Sequence, residues 1–152
     1  MQSLTSAQEL EKTGINFTLI PLSQSVHSVQ DVQNACNCKA EEVIKTLVLI
    51  GKNPIIVMLP GNKKADLEKI KIVIGEEALR MAKPDKVIKI TGFSVGAVSP
   101  FGIISDVRQI ADNSIMDLSD LFLGSGKSDV LIKIGQDDFK NAFRGSYASI
   151  SI

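Results

Sequence analysis

A chain of 152 residues, 44% hydrophobic and 22% charged, is long enough for one domain with its own core and too short to expect two. Its 17 basic and 17 acidic side chains cancel, which argues against DNA or other binding driven by accumulated Lys and Arg while leaving room for a local basic patch. The longest apolar runs, TLVLI (46–50) and PIIVMLP (54–60), fall far short of the ~20 residues needed to cross a bilayer.

The chain opens on MQSLTSAQELEKTG, polar and amphipathic, without the basic stretch, apolar core and small-residue cleavage site of a secretory signal. A cytoplasmic protein with no membrane partner is expected. Within residues 3–13, Leu4, Ala7 and Leu10 share one helical face and Gly14 supplies a stop. INFTLIPL (15–22) reads as a strand. Ser28 is placed to cap a second helix over 28–36, with Asp31 in its first turn and Val29, Val32 and Ala35 or Cys36 at helical spacing.

Two β-branched runs flank GKNP within residues 41–61, the pattern of adjacent antiparallel strands buried on both faces. From Asp66 to Ile90 the apolar spacing changes to that of a helix, and Gly75 and Pro84 divide it into two or three short helices. Short strands follow within 102–114 and at 121–124, an alternating strand at 129–134, and a closing helix over 135–143. The sum is an α/β fold of α+β character: a single domain over 1–152, with a mixed, mostly antiparallel sheet and surrounding helices rather than alternating βαβ units.

Cys36 and Cys38, the only cysteines, together with the single histidine His27 give three soft or imidazole ligands, one short of a tetrahedral zinc site. Buried thiols without metal are the plainer reading.

The segment TGFSVGAVSPFG (91–102) spends three glycines in one place. Gly92, Gly96 and Gly102 match neither G-x-G-x-x-G nor a P-loop ending in G-K-[ST]. Pro100 biases Ser99 away from helix, so the segment is a loop in which something approaches the backbone closely. A tight structural turn and a ligand-binding loop both satisfy that pattern.

The same segment resembles the G-x-x-x-G-x-x-x-P loop of the YbaK and prolyl-tRNA synthetase editing-domain superfamily. VIKTLVL (43–49) is similar to that family's lysine-bearing strand, VMLPGNKKADLEKI (57–70) to its Pro-Gly and basic-Asp-Leu segment, and LFLGSGKSDVLIKIGQDDF (121–139) to its glycine turn and last strand. The resemblance implies a partly barrel-like sheet and a free-standing enzyme that hydrolyses the ester of a mischarged tRNA in trans. It implies a small amino acid of the Ala, Cys or Ser/Thr type, on tRNA for proline before others. It also implies the acceptor end of that tRNA as partner, a synthetase or elongation factor as helper, and no cofactor or metal.

Carried onto this chain, the resemblance makes Lys45 the essential cation and gives Gly96 a catalytic place, with Thr46, Gly92, Ser99, Pro100, Ser125, Gly126 and His27 around the substrate. Gly124 competes with Ser125 and Gly126 for the polar position in the second glycine turn. Asp112 resembles an acidic residue before the family's last hairpin, where a turn or helix cap explains it equally. Lys63, Lys64, Lys69 and Lys71 form either a basic rim or a solvated helix face. Two rival functions remain open: a non-catalytic tRNA- or synthetase-binding module of the same fold, and an unrelated small-molecule pocket protein.

Overall fold

In the computed structural model, which describes residues 4–152, helix α1 spans Thr5–Lys12 and buries Ser6, Ala7 and Leu10 along one face. The first residue of the expected helix lies outside the described residues. Gly14, at φ +70°, turns the chain away toward strand β1 (Thr18–Pro21). Helix α2 (Val29–Cys36) starts where the Ser28 hydroxyl accepts the Asp31 N–H at 3.1 Å, which supplies one of the partners a helix start lacks.

After a 3-10 turn at Ala40–Glu42, strands β2 (Ile44–Ile50) and β3 (Pro54–Pro60) form the expected hairpin, in register from Ile44 opposite Pro60 to Ile50 opposite Pro54. Residues Ile55–Leu59 of β3 are buried on both faces. Strand β2 departs from that expectation at Lys45, Thr46 and Leu47, which are only half-buried, because β3 flanks one side and little covers the other.

Helix α3 (Leu67–Ile74) is capped by the Asp66 carboxylate, which accepts from the Glu68 and Lys69 N–H groups, and ends at Gly75 (φ +72°). A two-residue strand β4 (Arg80–Met81) then pairs with the end of β2. Helix α4 (Pro84–Thr91) carries proline in its first turn, where a missing N–H costs nothing, and ends at Gly92. Strand β5 is Arg108–Asp112, followed by a 3-10 turn at Asn113–Asp117. Strands β6 (Asp120–Gly124) and β7 (Val130–Gly135), helix α5 (Gln136–Ala142) and strand β8 (Ser146–Ala148) complete the order.

Two segments depart from the sequence expectation. Residues 102–107 form no strand: Gly102 sits at φ +74° against the start of α1, where a Cβ would lie 2.5 Å from the Ser6 nitrogen. Helix α5 does not close the fold, because β8 returns to pair parallel with β5.

Strands β1, β7 and β6 make one antiparallel sheet; β4, β2, β3, β5 and β8 make the other, with β3–β5 and β5–β8 parallel. The pairing is therefore mixed and mostly antiparallel. Among the described residues the one strand-pairing link between the two sheets is a bridge, Val43 to Phe122. They do not close into a full barrel: beyond Val43 no strand pairing joins the edge of β2 to β6. Met58 faces the core shared with Leu10, Phe101, Leu121, Ile132 and Phe139, while its neighbours Val57 and Leu59 face Ile70, Ile110 and Ile150. A two-residue period thus feeds two cores, and each fully buried Leu or Ile contributes about 1.5–3 kcal/mol.

Candidate active site

Where the sheets diverge they leave a cavity of about 270 Å³. One wall is the edge of β2 from Val43 to Val48; the others are the start of α2, residues 81–82, the glycine loop, and Phe122 to Gly124 with Leu131. The lining is predominantly apolar, with polar groups only at a few points.

The β2 edge explains much of the polarity. At one end the Ala82 N–H donates to the Val48 carbonyl at 3.0 Å, and at the other Val43 bridges to Phe122. Strand alternation then aims the N–H and C=O of Thr46 in the same direction as those of Val48, toward the gap where no strand pairs. The Thr46 hydroxyl is also buried and has no hydrogen-bond partner among the described residues. Leaving such a group unsatisfied costs about 1–3 kcal/mol, so its retention calls for an explanation.

Lys45 lines the cavity from the same strand. Its ammonium donates to the Lys63 carbonyl. Burial pushes the amine below the ordinary lysine range, and the nearby charge of Lys64 pushes it the same way. The cavity wall thus carries a half-buried lysine whose ammonium is partly stripped of water, and the field of such a charge acts more strongly than it would in bulk water.

Gly96 sits on the rim at φ +85°, with no atom within 4 Å of where a Cβ would stand. Its backbone needs glycine's freedom, and its bare Cα leaves the approach open. His27 is exposed at the mouth beside the start of α2, and its backbone N–H donates to the Asp31 carboxylate at 2.9 Å. The structure therefore brings together His27, Lys45, Thr46 and Gly96 from separate stretches of sequence, and places Gly124 beside them.

Gly92, Ser99, Pro100, Ser125 and Gly126 lie outside the cavity lining. Gly92 ends α4 at φ +84°. The Ser99 hydroxyl accepts the Phe101 N–H at 3.1 Å, and the Pro100 carbonyl accepts from Gln109 Nε2 at 3.2 Å. Ser125 is fully buried; its hydroxyl donates to the Val130 carbonyl at 2.5 Å, and its own carbonyl accepts from the Ser6 hydroxyl at 2.6 Å. The Gly126 N–H donates to the Ala97 carbonyl at 2.8 Å, and a Cβ there would stand 2.7 Å from the Phe93 ring. These five residues support the glycine loop from behind, their polar groups taken up by the loop, by α1, by α4, by β5 and by the turn before β7.

Asp112 is buried away from the cavity, with one carboxylate oxygen accepting the Ile150 N–H at 3.0 Å and the other accepting from the Ser114 N–H and hydroxyl. Burial alone would raise its pKa, but these hydrogen bonds, led by the Ser114 hydroxyl, hold the carboxyl below its ordinary value. It is the cap of the 3-10 turn. Cys36 and Cys38 are half-buried free thiols, each pushed up chiefly by burial. Of the four lysines of the basic segment, Lys71 pairs with Glu68 at 2.9 Å and Lys69 donates to the Ser151 carbonyl at 2.8 Å. Lys63 and Lys64 lie closest to Lys45 in function, one through its carbonyl and the other through its charge. Among the described residues no helix is long and apolar enough to cross a membrane.

The sequence reading missed the apolar walls, Val43, Val98, Phe122 and Leu131, and the exposed rim residues Met81 and Val95. Nothing in the sequence separates a valine that lines a cavity from one that fills a core.

A family model described as the aminoacyl-tRNA editing domain matches residues 23–142. The proline-tRNA ligase of Pseudothermotoga lettingae is 28% identical over 117 residues, covering 74% of this chain and 20% of the ligase. That of Citrifermentans bemidjiense is 31% identical over 114 residues, covering 72% and 20%. The chain spans about a fifth of the length of these curated relatives. Among solved structures, a hypothetical protein superposes with a TM-score of 0.91 at 19% identity, over 97% of this chain and 99% of the other. A candidate trans-editing enzyme for prolyl tRNA synthetase gives 0.90 at 21% identity, over 100% and 99%. At these identities the superpositions establish a shared fold.

Proposed function

Because this chain belongs to the aminoacyl-tRNA editing domain family, we propose that it is a deacylase that hydrolyses the ester of a mischarged tRNA in trans, in the cytoplasm. Its substrate is a small amino acid of the Ala, Cys or Ser/Thr type, carried first of all by tRNA for proline. What supports this most is the gathering of Lys45, Thr46, His27 and Gly96 around one apolar cavity. About 270 Å³ is just below the volumes that enclose drug-sized ligands. It suits an aminoacyl group, with the terminal nucleotide left at the mouth.

The chemistry asked of the protein is modest, since an aminoacyl ester is already activated. An attacking water oxygen bonds to the ester carbonyl carbon and the carbon–oxygen bond to the ribose breaks; one of the water's protons passes to the ribose oxygen, the other is released to solvent, and the amino acid leaves as a carboxylate. Negative charge develops on the carbonyl oxygen during the attack. The Lys45 ammonium offsets that charge, and its fixed position means that little reorganisation is needed at the moment of reaction. Gly96 lets the ester lie against the loop backbone, and the Thr46 hydroxyl and edge backbone hold the amino acid's polar groups. Gly92, Ser99, Pro100, Ser125 and Gly126 serve the substrate indirectly by fixing the loop. His27, exposed at the mouth, faces the nucleotide end, and Lys63 and Lys64 make a local cationic rim near Lys45.

A second sieve of this kind has a physical reason to exist. A synthetase pocket gains only about 1–3 kcal/mol from one methylene, so near-isosteres pass it and need a separate hydrolytic check. A synthetase or elongation factor would deliver the acceptor end, since the chain's own charge is balanced. Thermal-shift titration with a nonhydrolysable aminoacyl-adenosine analogue, run beside a deacylation assay, tests the proposal. Stabilisation together with hydrolysis is expected; stabilisation by folded protein that hydrolyses no mischarged tRNA would identify a binding module instead.

A further inference from the structure

Residues 150–152 reach the catalytic lysine through a chain of backbone contacts. Ile150 is fully buried among Leu49, Val57, Leu59 and Ile70. Its N–H donates to Asp112 Oδ1 at 3.0 Å, and its carbonyl accepts the Asp66 N–H at 2.9 Å. Ser151 bridges antiparallel to Ala65, and its carbonyl accepts Lys69 Nζ at 2.8 Å. The Ile152 N–H donates to the Lys64 carbonyl at 2.9 Å. Residues 150–152 thus lie along residues 64–66 and fix them to the buried carboxylate of β5.

The residue next to that pinned stretch is Lys63. Its carbonyl receives the Lys45 ammonium, and its N–H donates to the Pro60 carbonyl at 3.0 Å. Pro60 stands opposite Ile44 in the β2–β3 ladder, so the Lys63 carbonyl is held from both sides, by the hairpin and by segment 150–152. We propose that this segment is a strap that positions the Lys45 ammonium at the cavity, with Asp112 and Lys69 as the positioning residues that anchor it. This rests on the reading of Lys45 as the catalytic cation.

The physical case is one of freedom removed. A lysine side chain is long and flexible, and a single carbonyl acceptor holds it only if that carbonyl is itself fixed. The link between β3 and α3 carries Gly61 and Asn62 and has no strand of its own. Segment 150–152 supplies the partner it lacks. Asp112 suits the anchoring end because an ionised carboxylate accepts more strongly than a neutral amide, and Lys69 supplies a charged donor at the other end.

The test compares wild type with Lys69→Met, Lys69→Arg, Asp112→Asn and Lys45→Ala, each checked for cooperative melting. Lys69 is exposed and contributes nothing to the core, so its substitution leaves the fold standing. Two readouts are taken: kcat and KM for deacylation, and the Lys45 ammonium resonance in a proton–nitrogen spectrum of lysine side chains, assigned by its absence in Lys45→Ala. Lys69→Met is expected to lower kcat about 10- to 100-fold, the scale of a misplacement of ~1 Å, with KM little changed. Lys69→Arg is expected to restore it, and the Lys45 resonance is expected to broaden or vanish in Lys69→Met and Asp112→Asn. Wild-type kcat and an unchanged Lys45 resonance in both variants would overturn the strap. Wild-type hydrolysis by Lys45→Ala would overturn the deacylase role of that lysine, and the resonance would still decide whether the strap holds it.

Discussion

Gly96 offers a perturbation in which backbone strain and substrate access can be separated. A Cβ at this position meets no atom within 4 Å, yet φ is +85°, so Gly96→Ala is penalised by conformation alone. The left-handed region costs an L-residue about 1–2 kcal/mol, and the stiffer unfolded chain returns about 0.4–1 kcal/mol, for a net loss of about 1 kcal/mol. In a chain of this length that lowers Tm by about 2–4 °C. Gly75 provides a matched control: φ is +72°, a Cβ there also meets nothing within 4 Å, and it ends α3 outside the cavity lining. Gly75→Ala should lose the same stability and keep full deacylation. Gly96→Leu should melt close to Gly96→Ala but lose deacylation by about 100-fold or more, because its side chain occupies the substrate's approach. Melting curves and single-turnover deacylation of the three variants decide the matter. A folded Gly96→Leu protein with wild-type deacylation would refute the placement of the substrate against this loop.

Thr46→Val removes a buried hydroxyl that has no partner among the described residues; the variant should melt at or above the wild-type temperature while deacylation falls roughly 2- to 10-fold, the worth of one hydrogen bond. Equal loss of stability and activity would mean that the hydroxyl serves the fold. For Asp112 the folded carboxyl titrates below its ordinary value, so its stabilisation is complete above the unfolded pKa of ~3.9 and is lost as pH falls through the folded value. Denaturant melts should show Asp112→Asn well below wild type at pH 7, with the gap narrowing as the pH is taken below about 4; a gap independent of pH would contradict the ionised reading. Gly124→Ala would place a Cβ 2.4 Å from the Val98 carbonyl oxygen. It should push the glycine loop outward, lowering both Tm and kcat, and a variant indistinguishable from wild type in both would show that the contact yields freely.

The elements that carry their own signals were legible in the sequence. Ser28 caps α2 through a local hydrogen bond, and the β2–β3 hairpin is written in two β-branched runs around a turn. Strands β4 and β8 were not, since two and three residues show no period and owe their form to β2 and β5. Residues 102–107 read as strand because the contact that prevents it, Gly102 against the start of α1, joins segments almost a hundred residues apart. At the site, Lys45 and Gly96 were reached through a family's pattern, whereas the roles of Ser99 and Ser125 depend on which partner each hydroxyl finds. In both cases it is the residue's own turn, a distinction that composition cannot make. The open edge at Thr46 is likewise a property of where two other strands stop.

The most direct measurement is deacylation of a panel of mischarged tRNAs by wild type and Lys45→Ala side by side: Ala-, Cys- and Ser-tRNA for proline, Ser- and Ala-tRNA for threonine, and Thr-tRNA for valine or isoleucine. Hydrolysis of one or two of these, lost in a variant that melts like wild type, is the predicted result. Hydrolysis that survives the loss of Lys45, or none at all by folded wild-type protein, would contradict it.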